Sequence, residues 1–187
     1  MKVIDKKNVV FLIDWYLPAF KAGGPIKSVS NLVTLLRSVF NIYIITSAYD
    51  HLDKHPLDGI ITNKWISSSY GSEKIFYAER SYSVKRVIKN LSSNIEIHKI
   101  YINSIYSLKF SFIPLLYISF NKRKTGVVLS PRGVLKDSAL NKKIYKKWLF
   151  LKFVKITGLL SSTTFIASDS QEKTDVIRWF GENSKIR

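Results

Sequence analysis

Short apolar runs alternate with stretches of helical period along the chain, and this alternation restricts the fold more than any other feature. Val9–Ile13, Ile42–Thr46, Lys74–Ala78, Ile97–Ile102, Thr125–Leu129 and Thr163–Ala167 are brief runs rich in β-branched and aromatic residues, the pattern of buried strands. Between them, Ile26, Val29, Leu32, Val33, Leu36 and Phe40 recur at helical spacing, marking one apolar face. Val84–Leu91 predicts a short helix and Phe112–Phe120 a buried one, with Pro114 confined to its first turn. No Gly or Pro interrupts residues 136–156, which predicts a long helix. Asp169 or Ser170 can cap a final helix running through Trp179. Strands separated by helices predict an α/β fold, a Rossmann-like parallel sheet with helices on both faces. With no repeat and no low-complexity linker, residues 1–187 read as one domain.

Ligands of such sheets bind beyond the carboxyl ends of the strands, so the loop after the first strand is the first place to look for a site. It reads YLPAFKAGGPIKS, residues 16–28. Pro25 suits a first helical turn, where its missing N–H has no intrahelical partner. Gly23 and Gly24 let a ligand approach the backbone beside unpaired N–H groups that favour an anion. A plain strand-to-helix turn would carry the same residues. Neither GxGxxG nor GxxxxGK[ST] is present, so dinucleotide and P-loop sites lack their defining glycines.

SPRG, residues 130–133, follows another strand, and Arg132 is expected at the same sheet edge as the glycines. A guanidinium there can take phosphate or carboxylate with two donors; a surface arginine beside a Pro-Gly turn is the alternative. His51 and His55 have the spacing of helical metal ligands, but HLDKH lacks the glutamate of the zinc motif and runs into Pro56, which favours a polar loop. His98 stands alone in a strand. No pair of aspartates has D-x-D spacing, which argues against metal-held nucleotide diphosphate.

Thirty Lys and Arg against 13 Asp and Glu give a formal charge of +17, which implies an anionic partner: nucleic acid, membrane surface or phosphorylated small molecule. Lys136, Lys142, Lys143, Lys146, Lys147, Lys152 and Lys155 interleave with Leu140, Ile144, Trp148, Leu149 and Phe153. A helix of that pattern suits anionic headgroups, a solvated face over a core, or nucleic acid. No nucleic-acid motif accompanies the charge, and the aromatics lie in core-like runs. The absence of cysteine excludes disulfides and thiolate chemistry and fits a reducing compartment. The N-terminus lacks a small-residue cleavage site, and Phe110–Phe120 is well short of the ~20 residues a span needs. These features predict a soluble chain that can sit on a membrane rather than in it.

Taken together, YLPAFKAGGPIKSVSNL, IITSAYD, YINSIYS, LSPRGVLKDSALNKKIYKK and ASDSQE resemble the amino-terminal half of family 4 glycosyltransferases, in the subgroup that builds bacterial surface polysaccharides such as lipopolysaccharide O-antigen or capsule. The resemblance runs through nearly the whole chain and rests on the order of the motifs, GGP and SPRG above all. Ser168 departs from it, because the family usually has threonine there.

The resemblance implies the first, acceptor-side domain of a GT-B fold. It implies a retaining, metal-independent hexosyltransferase with no cofactor beyond its nucleotide-sugar substrate. The acceptor would be a saccharide or lipid-linked, and the basic surface would dock on the inner face of the cytoplasmic membrane. By the matching motifs, Gly23 and Gly24 would meet the donor diphosphate. Arg132 would face the cleft near the transferred sugar or an acceptor phosphate, and Tyr16, Lys21, Asn103 and Tyr106 would line the acceptor side. The family's second domain carries two acidic residues separated by seven positions. Among Glu73, Glu79, Glu96, Glu172 and Glu182 no two are eight apart. The expectation is therefore a fragment, a truncated product or one subunit of a split pair, with little transfer activity alone. A basic nucleic-acid-binding protein, or a non-catalytic partner that anchors a separate donor-binding chain, remains the alternative.

Overall fold

A computed structural model describes residues 6–121, 125–136 and 144–187. It is an α/β fold of mostly parallel strands, as the alternation predicts. The chain forms two compact units, residues 1–100 and 101–187.

In the first unit, β1 (Lys7–Leu12) and β2 (Phe40–Ser47) flank α1 (Gly24–Leu36) in sequence. β1 pairs parallel with β2, Lys7 opposite Phe40, and β2 pairs parallel with β4 (Lys74–Ala78), Tyr43 opposite Lys74. Val10, Phe11, Leu12, Ile44, Ile45 and Ile75 are almost wholly buried, which is why these strands read as continuous apolar runs and not as alternating ones. α1 buries Ile26, Val29 and Val33; each such side chain contributes about 1.5–3 kcal/mol by leaving water. The helix ends at Leu36, and Phe40, expected on its apolar face, instead begins β2. The sequence pattern did not reveal β3 (Trp65–Ser67), three residues paired antiparallel to β4. Trp65 sits there edge-on to both Tyr43 and Phe76, at 5.6 and 5.5 Å. α2 (Val84–Asn94) starts with Ser83 accepting from the Arg86 N–H and buries Val84, Val87, Ile88 and Leu91. β5 (Ile97–Asn103) carries the chain across the boundary between the units.

In the second unit a single π-helical turn, Leu108–Phe112, leads into α3 (Ile113–Phe120). Pro114 occupies the first turn of α3, the position the sequence requires of it. β6 (Gly126–Ser130), β7 (Thr163–Phe165) and β8 (Lys185–Ile186) pair in parallel, in that order. Of the long helix expected over residues 136–156, residues 137–143 lie outside the described residues. Residues 132–135 form a turn and Lys136 a bend, and the described helix, α4, covers Ile144–Ile156. Lys142 and Lys143 lie outside the described residues. α5 (Ser170–Phe180) is capped by Asp169, which accepts from the Glu172 N–H at 2.7 Å.

Burial pushes the Tyr16 and Tyr77 phenols well above the ordinary tyrosine range, and the Tyr106 phenol up to about 12. The folded chain therefore retains three protons that the unfolded chain releases near pH 10, so stability is full below about pH 10 and falls as pH rises through about 12. Spectrophotometric titration should show these three phenols ionising together with loss of the circular dichroism signal. Their titration before unfolding would contradict this burial.

Candidate functional site

The loop between β1 and α1 is built around one carboxylate. Asp50, 3% exposed, follows β2. Its side chain accepts from the Phe20 N–H at 2.9 Å, the Lys21 N–H at 3.1 Å and the His51 N–H at 2.7 Å. Burial pushes the Asp50 carboxyl up, but these three N–H groups outweigh it and hold the group below the ordinary carboxylate range. Tyr77 donates its hydroxyl to the Leu17 carbonyl, and the Lys21 ammonium pairs with Asp53. The loop is thus tied to the sheet by charge and by backbone.

Gly23 has φ 65 and ψ −118, a conformation open only to glycine. Its N–H donates to the Phe20 carbonyl at 2.9 Å, and its own carbonyl accepts from Ile26 at 3.1 Å and Lys27 at 3.3 Å. Pro25 has no N–H, so Gly24 carries the N–H at this helix start that no internal acceptor takes up. A Cβ added to Gly24 would meet nothing within 4 Å. The two glycines have separate duties: Gly23 shapes the turn, and Gly24 leaves its face open.

Tyr16, expected on the acceptor side, is only 1% exposed, with its hydroxyl beside Ser30 and Glu73. Its ring packs the core and lines no open surface. His51 lies in a turn, not a helix, its ring 4.7 Å from Trp15, and among the described residues no group of three or more His, Asp or Glu is placed to hold a metal.

In the second unit Arg132 occupies the turn after β6. Its Nε donates to Asn103 Oδ1 at 2.7 Å and its Nη2 to the Tyr101 hydroxyl at 3.0 Å. Asn103 ends β5, and the Ser104 N–H donates to the Ser130 carbonyl at 2.9 Å, so YINS and SPRG, 29 positions apart in the chain, meet at two strand ends. Arg132 and Gly133 are both left-handed, with φ 60 and 70. The Gly133 N–H donates to the carboxylate of Glu172 on α5.

Tyr106 is half-buried, its ring 5.7 Å from Phe150 with the Lys147 ammonium 5.2 Å above it. Its hydroxyl is buried with no hydrogen-bond partner among the described residues. Sequence reasoning did not identify Asp50, Tyr101 or Glu172 as part of a site. The available signals were the polar turn SAYD after β2 and a glutamate three residues beyond the cap in ASDSQE. A cavity of about 480 Å³ in the first unit, lined by Tyr43, Trp65, Phe76, Tyr82 and Asn90, contains none of the expected residues.

No helix among the described residues is long and apolar enough to cross a membrane. No protein-family model matches the chain, and no curated protein matches its sequence.

Stability measurements should separate the two glycines. Gly23→Ala should cost at least about 1–2 kcal/mol, because alanine resists this backbone. Gly24→Ala should cost nothing or stabilise slightly. Asp50→Ala, which strands the Phe20 and Lys21 amides, should cost about 2 kcal/mol. Equal losses for both glycines by urea unfolding would refute the division.

Proposed function

We propose that the chain is the acceptor-side domain of a retaining, metal-independent glycosyltransferase of the GT-B type, resembling family 4. It would take part in moving a sugar from a nucleotide-sugar to a saccharide or lipid-linked acceptor in bacterial surface polysaccharide synthesis. The observation that carries the reading is the Arg132 guanidinium held on Asn103 and Tyr101 beyond β6. Two motifs that define the resemblance contribute to one polar group at strand ends, where ligands of parallel sheets bind. In that role Arg132 bears on a phosphate or on the charge of the transferred sugar. The open Gly24 N–H at the start of α1 favours the donor diphosphate. Lys21, Asn103 and Tyr106 would serve the acceptor side, while Tyr16 supports the loop from beneath.

The anionic membrane surface is the second partner in this reading, and α4 supports it. The helix buries Leu151 and Val154 but leaves Tyr145 85%, Leu149 65% and Ile156 82% exposed. Trp148 lies with them, the Lys152 ammonium 3.9 Å over its ring. Spacings of three, four and seven residues put these side chains on one stripe, and ring, aliphatic and ammonium groups together suit the headgroup boundary.

Transfer to lipid extracts from a mixed pool of nucleotide-sugars, with a family 4 donor-side domain fused after Arg187, tests the reading. Transfer is expected and should fall by about tenfold or more in Gly24→Val, because the added side chain stands where the phosphate approaches. Undiminished transfer in that variant would sink the phosphate assignment. On vesicles containing phosphatidylglycerol, Leu149→Ser combined with Ile156→Ser should weaken binding by on the order of tenfold. Strong, salt-steep binding to DNA without preference for such vesicles would favour the nucleic-acid alternative instead.

A further inference from the structure

We infer that Glu172 is the positioning residue of the Arg132 anion site, an inference that rests on the reading of Arg132 given above. Arg132 holds φ 60 and Gly133 φ 70. Glycine takes that conformation freely, but for arginine it costs about 1–2 kcal/mol. The turn therefore relaxes unless its neighbours hold it. Asn103 and Tyr101 fix the far end of the arginine side chain, which leaves the backbone beneath it to be fixed by something else.

Glu172 supplies that hold. Its side chain is fully buried. One carboxylate oxygen accepts from the Gly133 N–H, and the other accepts from the Ser168 N–H at 2.7 Å and the Ser168 hydroxyl at 2.9 Å. A carboxylate removed from water is tolerable only while donors surround it. Gly133 is one of three, so freeing it would leave the group under-bonded. The turn holds the carboxylate and the carboxylate holds the turn.

The helix start separates this duty from capping. A glutamate three residues beyond the cap ordinarily turns back to the cap residue's own N–H. Here the Asp169 side chain caps α5 by accepting the Glu172 N–H, while the Glu172 carboxylate turns one oxygen back to Ser168, the residue before the cap, and extends the other across 39 positions of sequence to Gly133. Asp169 also meets the Lys136 ammonium at the end of the same turn, at 3.4 Å, so helix stability is varied elsewhere on α5.

The test uses the full chain, isotopically labelled for NMR, with inorganic phosphate as the probe. Glu172→Gln should keep its circular dichroism spectrum while the Gly133 N–H exchanges about tenfold faster, because a charge-assisted bond becomes a neutral one. The Arg132 Nε–H resonance should lose its distinct position, and phosphate should bind about tenfold more weakly. Thr174→Gly, at an exposed position of α5, should lower the melting temperature and leave all three readouts unchanged. Should Glu172→Gln not fold, Glu172→Asp, which keeps the charge but falls one methylene short of Gly133, gives the same three readouts. Unchanged Gly133 exchange and an unchanged Arg132 signal in a folded Glu172 variant overturn the positioning role. So do equal changes in Thr174→Gly, because the effect would then follow helix stability. If the wild-type chain binds no phosphate while the Gly133 and Arg132 signals still change in Glu172→Gln, the anion reading falls and the hold on the turn stands.

Discussion

The arrangement of both candidate loops depends on a buried carboxylate that collects backbone N–H groups at the end of a strand. Asp50 does this for residues 20 and 21, and Glu172 for residue 133. Desolvating a carboxylate is expensive, and protein N–H donors at 2.7–3.1 Å in place of water offset the cost. The offset works only in one loop conformation, so each carboxylate selects a backbone path as well as stabilising it. Around Asp50 the selection consumes the amides of Phe20 and Lys21, while Gly23 donates to Phe20 within the loop. What remains to an anion at this loop is the Gly24 amide at the start of α1, a smaller endowment than two adjacent glycines suggest.

The parts of this architecture that were legible in the sequence follow from repetition. Strands such as Ile42–Thr46 announce themselves because burial leaves room for few polar residues, and α2 because Val84, Val87, Ile88 and Leu91 repeat with the helix. β3 has no such signature. Three residues at a sheet edge with Trp65 only half-buried sustain no period. SPRG announces a turn through Pro131 and Gly133, but nothing local marks Arg132 as left-handed, a conformation held with Gly133 by a distant glutamate and asparagine. Local propensity yields to tertiary bonds at such points.

The site was legible where a motif marked it and hidden where a common local role disguised it. Arg132 and Asn103 stand out through SPRG and YINS, and they are bonded to each other. Glu172 reads as an ordinary capping partner of Asp169, because the spacing is the same whether the carboxylate turns back or reaches out. Tyr16 misleads in the opposite direction: an aromatic residue at the start of a glycine-containing loop looks available, yet the chain folds its ring beneath the loop, where the phenol lies beside Ser30 and Glu73.

α4 shows why charge and hydrophobicity counted along a sequence are not enough to assign a surface. Leu149 and Leu151 are both leucines two positions apart, yet one is 65% exposed and the other fully buried. The helix is apolar on two sides. Leu151 and Val154 satisfy the core, and Phe150 with Phe153 packs against Phe112 at 5.3 and 6.0 Å. Tyr145, Trp148, Leu149 and Ile156 are surplus to that core. Lysines on the same helix keep such a face soluble, and Lys152 lies directly over Trp148, so part of the ring's apolar surface is covered by a cation without being buried. A face built this way stays in water with its apolar side chains beside cations, the combination on which the proposal of an anionic membrane surface rests.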